Sequence, residues 1–197
     1  YQAGIGLSDR DYYLNDDARS KEIRDEYVIH VGKMFQLAGF DEATAKAKAA
    51  TIMSIETRLA KASMTRLERR DPEKTYHKMD LAALQELAPG YNWYNFFTAV
   101  GLPGQKEINV SMPDFFKEVG KMMGEVPVDD WKAYLEWNLI NSSASYLSSD
   151  FVNQNFNFYG KVMQGQEKIR DRWKRVQGLV SGSLSEAIGQ LYVAEYF

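Results

Sequence analysis

The hydrophobic pattern predicts two long helices before residue 70. Apolar residues recur every three or four positions from about residue 20, and this first run stops at Gly39, a residue suited to the position just after a helix. Asp41 then stands where a helix N-cap belongs, and the alanine-rich run behind it predicts a second helix that ends near Arg69. The predicted core-facing positions are Ile23, Tyr27, Val31, Met34 and Ala38 in the first helix, and Ala45, Ala49, Ile52, Met53, Ile55 and Leu59 in the second.

Prolines divide the chain into a centre and two helix-rich flanks. All five fall between residues 72 and 127. The flanks 20–70 and 127–197 therefore lack interior helix breakers, and residues 71–126 form a more articulated centre. The centre is predicted to contain short helices over residues 81–88, 93–100 and 113–123. Residues 106–110 are the one plausible extended piece, which is too short to predict a large sheet.

The last third of the chain predicts three more helices. Helical spacing continues from residue 127 to about 148, and Asp150 is the predicted N-cap of a helix over residues 151–162. From Glu167 onward a single apolar face predicts one continuous helix. The apolar positions are Val128, Trp131, Leu135 and Leu139 in the first of these helices, and Trp173, Val176, Val180, Leu184, Ile188 and Leu191 in the last. The whole pattern predicts an all-α fold: a bundle of several long and short helices, with little or no sheet, forming a single helical domain over residues 1–197.

Composition narrows the function classes. Hydrophobic residues make up 45% of the 197 positions and charged residues 26%, which is typical of a folded globular protein. A formal net charge of -3 is not the excess of positive charge that is typical of nucleic-acid-binding proteins. No apolar run approaches the roughly 20 residues that span a bilayer. We therefore expect neither nucleic-acid binding nor a membrane-spanning segment. The absence of cysteine excludes disulfides, thiolate metal ligands and thiol catalysis within this segment.

The two histidines do not form a metal-binding pattern. A zinc site needs three or four converging ligands, usually with a close pair such as His-Glu-x-x-His on one helix. His30 is followed by Val31 and His77 by Lys78, so neither begins that motif. His30 lies near the apolar face of its predicted helix and is interpreted as a core-edge imidazole. We predict no metal ligand and no cofactor within this segment.

Glu56 is the most informative carboxylate. It falls beside the apolar positions Ile52, Met53 and Leu59 on the second predicted helix, so partial burial is expected. Because buried charges are usually paired, a structural ion pair with an arginine is favoured over general acid or base work. In the serine-rich run at 142–149, no residue that could act as a base has the spacing needed to activate a serine as a nucleophile. We predict no catalytic residue in this segment.

Two arginine-containing motifs predict structural or interdomain contacts. Arg69 and Arg70 stand at the end of a predicted helix, before Asp71. Positive charge is favourable at a helix C-terminus, and each guanidinium group can form paired hydrogen bonds with a carboxylate. Such bonds would either fix a loop or hold this segment against another domain. Arg10 and Asp11, followed by two tyrosines, are predicted to pin an N-terminal loop to the helices.

Two further stretches have simpler interpretations. The pair Gly4 and Gly6 lacks the preceding strand and the third glycine of a phosphate loop, so we interpret it as a flexible approach to the first helix. Basic residues surround Trp173 and include Arg175, but Asp171 interrupts them. We predict that this segment is the solvent-exposed side of a structural helix, and we disfavour a nucleic-acid-binding surface here.

Short motifs stand in order along the chain, among them GLSDRDYYL at residues 6–14, RRDP at 69–72 and LYVAEYF at 191–197. This ordered series resembles the M13 family of zinc metallopeptidases, the neprilysin group. Further members of the series are NW at 92–93, PDFF at 113–116, WKAYLEW at 131–137, FNFYG at 156–160 and RWKR at 172–175. The similarity covers essentially the whole chain. His77 departs from the asparagine that is usual in the family.

The resemblance implies a helical segment of a zinc metalloendopeptidase that cleaves peptides. In that family one helical lobe holds the zinc and the catalytic groups, while the other covers the cleft and restricts substrate size. This chain is similar to most of the covering lobe. The resemblance therefore implies that zinc belongs to the parent enzyme and that the partner of this segment is the catalytic lobe of the same parent chain. The segment alone is expected to be inactive.

Two other interpretations stay open at this point. One is a stand-alone helical protein-interaction module without enzyme activity, and the other is an unrelated all-α enzyme that uses Glu56 or other buried carboxylates. A separated lobe would leave an apolar surface exposed, so we expect self-association or disordered loops. The lack of cysteine resembles bacterial members of the family. It leaves the compartment open, with the bacterial periplasm or cell envelope as the implied setting.

Overall fold

Helices dominate the structure. The computed structural model describes residues 1–197 and confirms the all-α prediction, with eleven α-helices and one two-stranded sheet. The helices are α1 (Asp11–Leu14), α2 (Ala18–Leu37), α3 (Glu42–Ala62), α4 (Pro72–Thr75), α5 (Leu81–Leu87), α6 (Trp93–Ala99), α7 (Pro113–Glu125), α8 (Val128–Ser143), α9 (Ser149–Asn155), α10 (Arg172–Ser183) and α11 (Ser185–Tyr196). None of them combines the length and the apolar character that crossing a membrane requires.

The sheet consists of two three-residue strands, β1 (Lys78–Asp80) and β2 (Glu107–Asn109). The strands are antiparallel, and Met79 lies opposite Ile108. β2 falls inside the extended piece predicted at residues 106–110. The sequence pattern does not predict β1, because three residues are too few to show an alternation of apolar and polar positions.

The structure confirms the two long helices predicted near the start of the chain. Asp17 and Asp41 cap them: each side chain accepts a 2.9 Å hydrogen bond from the backbone N–H three residues later. Gly39 has a φ of +99°, which lets the chain turn sharply after α2. Every predicted core position of the two helices is buried or half-buried except Ala38, which lies just beyond the end of α2.

The prediction that the second helix reaches Arg69 is wrong. α3 stops before Ser63, which has an extended conformation with a ψ of 143°. Beyond it, Thr65 and Glu68 form a capping box. The Glu68 carboxylate accepts from the Thr65 N–H at 2.8 Å, and the Thr65 hydroxyl accepts from the Glu68 N–H at 3.2 Å. This box starts a separate 3₁₀ turn, and Arg69 lies in that turn.

Two hydrophobic clusters form the interior. The larger one collects buried side chains from α1, α2, α3, α7 and α8. The smaller one centres on α5 and α6 and includes Leu84, Trp93 and Phe97. Phe116 of α7 packs against both clusters and so connects them. The sheet lies beside the smaller cluster, against which Met79 packs.

Three of the four apolar positions predicted on α8 face outward, and the fourth, Trp131, is half-buried against the larger cluster. Val128, Leu135 and Leu139 are 70%, 64% and 69% exposed, respectively. The face that packs into the core carries Ala133, Tyr134 and Trp137 instead. Helical spacing was therefore correct, but it identified an unpartnered apolar stripe rather than the core-facing side of this helix.

The helix predicted over residues 151–162 has two parts. α9 ends at Asn155, and the chain continues as a π-helix over Phe156–Val162. Asp150 lies in the first turn of α9, and Ser148 occupies the N-cap position. Glycine is needed at position 160, because a Cβ there would lie 2.3 Å from the ring of Phe156.

The last predicted helix is two helices. α10 and α11 are separated at Leu184, which has a non-helical φ of -124°. Glycine and serine around the junction are weak helix formers, which favours a break there. Neither helix contains a buried residue, and Trp173 is 63% exposed. The predicted apolar face exists on both helices, but no other part of the chain covers it.

Candidate functional site

A buried glutamate lies at the centre of the larger cluster. The α3 side chain of Glu56 is 1% exposed, and two tyrosine hydroxyls donate hydrogen bonds to its carboxylate. Tyr13 of α1 donates to Oε2 at 2.6 Å, and Tyr27 of α2 donates to Oε1 at 3.0 Å. The expected arginine partner is absent from these contacts. Two phenols take its place, so the ion-pair prediction is wrong while the predicted burial is confirmed.

The hydrogen bonds around Glu56 extend to α8 and to the N-terminal loop. Trp137 of α8 donates its indole N–H to the Tyr27 hydroxyl at 3.0 Å. The backbone N–H of Leu7 donates to the Tyr13 hydroxyl at 2.9 Å. Each phenol therefore accepts one hydrogen bond while it donates another to the carboxylate. Such a chain satisfies the buried polar atoms and links four helices to one loop.

Two more tyrosines hold the loop itself. Tyr134 donates to the carbonyl of Gly4 at 2.6 Å, and Tyr159 donates to the carbonyl of Gly6 at 3.1 Å. A Cβ on Gly6 would lie 1.9 Å from the Tyr27 hydroxyl oxygen, so only glycine fits at this close approach. The prediction that this glycine pair is a flexible approach is wrong, because the packed tyrosines require glycine here.

Burial controls the acid–base properties of the cluster. Burial raises the pKa of Glu56 to about 7, even though the hydrogen bonds from Tyr13 and Tyr27 act in the opposite direction. Burial raises the pKa of both phenols, and the neighbouring Glu56 charge adds to that shift. Burial also raises the pKa of Tyr134 to about 12. These phenols therefore remain hydrogen-bond donors at every physiological pH.

His30 lies deeper than the predicted core edge. It is 1% exposed and stacks on Phe158 with ring centroids 4.9 Å apart. Its Nδ1 is 3.1 Å from Nε2 of Gln154, and its Nε2 has no hydrogen-bond partner. Burial lowers the pKa of His30 to about 3, so the ring is neutral at neutral pH.

The cluster is built to position a loop. Neither of the two principal cavities is lined by Glu56. A general acid or base must reach a substrate, and the surrounding tyrosine and tryptophan rings enclose this carboxylate. No group of three His, Cys, Asp or Glu side chains converges with the spacing that a metal ion needs. The arrangement can take up and release a proton, and it fixes the N-terminal loop against the helices.

The structure brings the two predicted arginine motifs together. The Arg10 Nε donates to the carbonyl of Ala60 at the end of α3, at 3.1 Å. Asp11 begins α1, and its backbone N–H donates to Asp9. Arg10 and Arg69 line one cavity of about 310 Å³ on the surface. The sequence does not predict that Arg10 and Arg69 are neighbours, because nothing in it shows that residues about 60 positions apart are close in space.

The other singled-out residues lie apart from Glu56. Asp71 caps α4 by accepting from the backbone N–H of Glu73 at 3.0 Å, and Arg70 is exposed in the preceding turn. Trp173 lies on the exposed face of α10, and Arg175 donates its Nε to a nearby backbone carbonyl. The residues that sequence reasoning missed are Tyr134 and Tyr159, whose hydroxyls have roles that a hydrophobic pattern does not reveal.

Known proteins match this chain over its whole length. The protein-family model described as "Peptidase family M13" matches residues 1–197. Endothelin-converting enzyme 1 of Rattus norvegicus is 33% identical over 205 residues, which cover 100% of this chain and 26% of that enzyme. Mycobacterium tuberculosis zinc metalloprotease Zmp1 is 34% identical. Its inhibitor complex and its open state superpose with TM-scores of 0.91 and 0.90, and each match covers 99% of this chain and 30% of Zmp1.

These matches define a class of protein, the neprilysin-like zinc metallopeptidases. The chain belongs to peptidase family M13. It spans between a quarter and a third of the length of the relatives it matches. The resemblance found in the sequence motifs is thereby confirmed over the full chain.

The close approach at Gly6 leads to a first prediction. We expect Gly6→Ala to lower the free energy of unfolding by about 1–3 kcal/mol, because the added methyl group must displace the Tyr27 hydroxyl from the Glu56 carboxylate. Urea denaturation followed by circular dichroism measures this change. The matched control is Gly32→Ala on α2, where a Cβ meets nothing within 4 Å. It should stabilise the chain by about 0.5–1 kcal/mol. Equal effects of the two substitutions would contradict the tight fit.

The opposite titrations of Glu56 and His30 lead to a second prediction. The folded-state pKa of Glu56 is raised to about 7, so its contribution to stability is complete below its ordinary pKa and is lost as the pH rises towards 7. The folded-state pKa of His30 is lowered to about 3, so its contribution is complete above its ordinary pKa and is lost as the pH falls. Between about pH 4.5 and 6.5 the two slopes, each about 1.4 kcal/mol per pH unit, nearly cancel.

Glu56→Gln should remove one of the two slopes. We expect the stability of the variant to rise with pH between about 4.5 and 6.5, and to gain up to about 3 kcal/mol on the unsubstituted chain between pH 4.5 and 7.5. Urea denaturation at a series of pH values measures this difference. Glu86→Gln, at an exposed glutamate on α5, is the control and should leave the pH profile unchanged. Parallel profiles for Glu56→Gln and the unsubstituted chain would show that Glu56 does not titrate in this range.

Proposed function

We propose that this chain is the cleft-covering helical segment of an M13 zinc metalloendopeptidase that cleaves peptides. The observation that carries the proposal is its match to family M13 over residues 1–197, combined with the lack of His-Glu-x-x-His in its sequence. Zinc and the catalytic groups then come from the rest of the parent enzyme. This segment acts by shape: it excludes large substrates and shields the site from bulk water.

The residues present do not fit a zinc site, which supports a non-catalytic role. His30 stacks on Phe158 and meets the ring of Trp137 edge to face, and it belongs to no group of three His, Cys, Asp or Glu side chains that could hold a metal ion. His77 lies outside that cluster, next to β1. Zinc chemistry in the parent enzyme therefore rests on residues other than these, and this segment alone is inactive.

Exposed apolar surface supports a docking role towards the catalytic lobe. The stripe on α8 and the helices α10 and α11 leave several large side chains exposed, among them Leu139, Trp173 and Leu191, at 69%, 63% and 72%. Large apolar side chains that lie exposed along a helix face are typical of an interaction site. The catalytic lobe of the same parent chain is the proposed partner, and peptides are the proposed substrates of the assembled enzyme.

A second candidate function is a stand-alone helical protein-interaction module. The same exposed surface favours it, because an apolar face suits any partner of matching shape. The two candidates differ in what the chain does when it is joined to an M13 catalytic lobe, since only the first requires it to complete a working peptidase.

A chimera tests the proposed covering role. We expect Mycobacterium tuberculosis Zmp1 that carries this chain in place of its own matching region to hydrolyse a short fluorogenic peptide and to leave a folded protein substrate intact. The TM-score of 0.91 makes the exchange structurally reasonable. A chimera that is well folded by circular dichroism but cleaves no peptide would contradict the proposal.

The 197-residue chain alone is the control for the chimera. With added zinc and the same peptide, we expect no turnover above the blank, because zinc and the catalytic groups are proposed to lie elsewhere. Turnover that co-purifies with the chain and disappears with a chelator would overturn the proposed inactivity.

Self-association tests the docking surface. We expect the isolated chain to form dimers or larger species at tens of micromolar in sedimentation velocity, because burying apolar surface is favourable at about 25 cal/mol per Å². Leu191→Glu should shift the population towards monomer. Leu67→Glu changes a leucine that is 78% exposed but lies outside α8, α10 and α11, so it should have no effect. A chain that stays monomeric at every concentration would contradict the docking surface.

A further inference from the structure

Three arginines meet in the cavity beside the N-terminal loop. The cavity has a volume of about 310 Å³ and lies between residues 2–10 and the turn that follows α3. Arg10 comes from the loop side, and Arg66 and Arg69 come from the turn. Asp9 is the one carboxylate that lines it. The lining therefore carries two more positive charges than negative charges.

The three guanidinium groups differ in how they are neutralised. Arg66 forms an ion pair with Asp9, and its side chain is still 60% exposed. Arg10 donates its Nε–H to the carbonyl of Ala60, so its two terminal guanidinium nitrogens are free to donate to another acceptor. Arg69 is exposed and forms no ion pair with a carboxylate. Like charges that converge without matching carboxylates repel one another, and an anion between them relieves that repulsion.

Nearby Glu68 supplies only part of the missing negative charge, because the hydrogen bonds from Thr65 are the main cause of its lowered pKa and the charges of Lys74 and Arg10 add less to that shift. Its Oε2 accepts hydrogen bonds from both the N–H and the hydroxyl of Thr65, each at 2.8 Å. These bonds hold the carboxylate in the capping box and lower its pKa, and Glu68 is not among the residues that line the cavity.

Both walls of the cavity are fixed by short hydrogen bonds. Gln2 donates its side-chain N–H to the carbonyl of Met64 at 2.9 Å and accepts from the Met64 N–H at 2.7 Å. This reciprocal pair ties the start of the chain to the turn. The loop is also held from below by Tyr13 and Tyr159. The arginines therefore project from a preorganised frame, which lowers the entropic cost of binding.

We propose that this cavity is a binding site for a small oxyanion, either a phosphate or a dicarboxylate. Guanidinium forks match the oxygen geometry of both groups and form charge-assisted hydrogen bonds with them. A bound oxyanion bridges Arg10 on the loop to Arg69 on the turn, so binding stabilises the N-terminal loop. The site requires no catalytic lobe and is independent of the covering role.

Thermal unfolding with inorganic phosphate and with succinate tests the site. The 197-residue chain is titrated with each anion at constant ionic strength, with chloride as the balancing salt. We expect the midpoint of unfolding to rise and to saturate, with a Kd on the order of 1 mM for at least one of the two anions. Saturation with phosphate alone or with succinate alone supports the site and identifies the oxyanion class. A response to both anions that equals that of chloride overturns the proposal.

Arginine substitutions locate the binding. Arg69→Gln and Arg66→Gln each remove a charged donor from an exposed position and should weaken binding about tenfold. Arg172→Gln is the matched control, since it removes the same charge from the exposed surface of α10 and should leave the Kd unchanged. If Arg172→Gln weakens binding as much as Arg69→Gln does, the effect is one of net charge and the proposed site is wrong.

Removing the competing carboxylate provides a test in the opposite direction. Asp9→Asn keeps the oxygen that accepts from the Asp11 N–H but releases Arg66 from its ion pair. The variant should bind the oxyanion about threefold more tightly. A merely structural role of Asp9 predicts unchanged or weaker binding, so either of these results would overturn the assignment.

Discussion

The burial of one carboxylate group organises much of this structure. Glu56 lies in the middle of α3, where the surrounding residues are apolar, and a carboxylate without donors is costly in such a place. Its donors come from α1 and α2, and these phenols in turn accept from Trp137 and from the backbone of Leu7. Five parts of the chain, which are α1, α2, α3, α8 and the N-terminal loop, must therefore reach their positions together.

The N-terminal loop depends on this arrangement for its position. Leu7 is buried in the larger cluster, and tyrosine hydroxyls that lie above the Glu56 cluster hold the backbone of the loop. Glycine at position 6 permits the contact, because a Cβ there would overlap the hydroxyl of Tyr27. The arginine-lined cavity is one product of this arrangement, since its outer wall is that same loop.

The sequence predicts the local features of this fold well and the long-range features poorly. The spacing of α2 and α3, with their aspartate caps, is a local property, and the structure reproduces it. The outward stripe on α8 has the same periodicity as a core-facing one, because spacing shows that one face of a helix is apolar and does not show what covers that face. For the same reason the exposed face of α10 and α11 is detected by its spacing, while its lack of a partner is not. The partners of Glu56 were mispredicted because tyrosine is counted as an apolar residue, although here its hydroxyl replaces an arginine.

Phe116 has a consequence for how the two interiors respond to each other. One ring surface serves both, so the smaller interior around α5 and α6 is fastened to the larger one by a shared aromatic side chain. A repacking within residues 78–110 that moves this ring therefore reaches the larger cluster as well, whereas a change that leaves the ring in place stays within the smaller one.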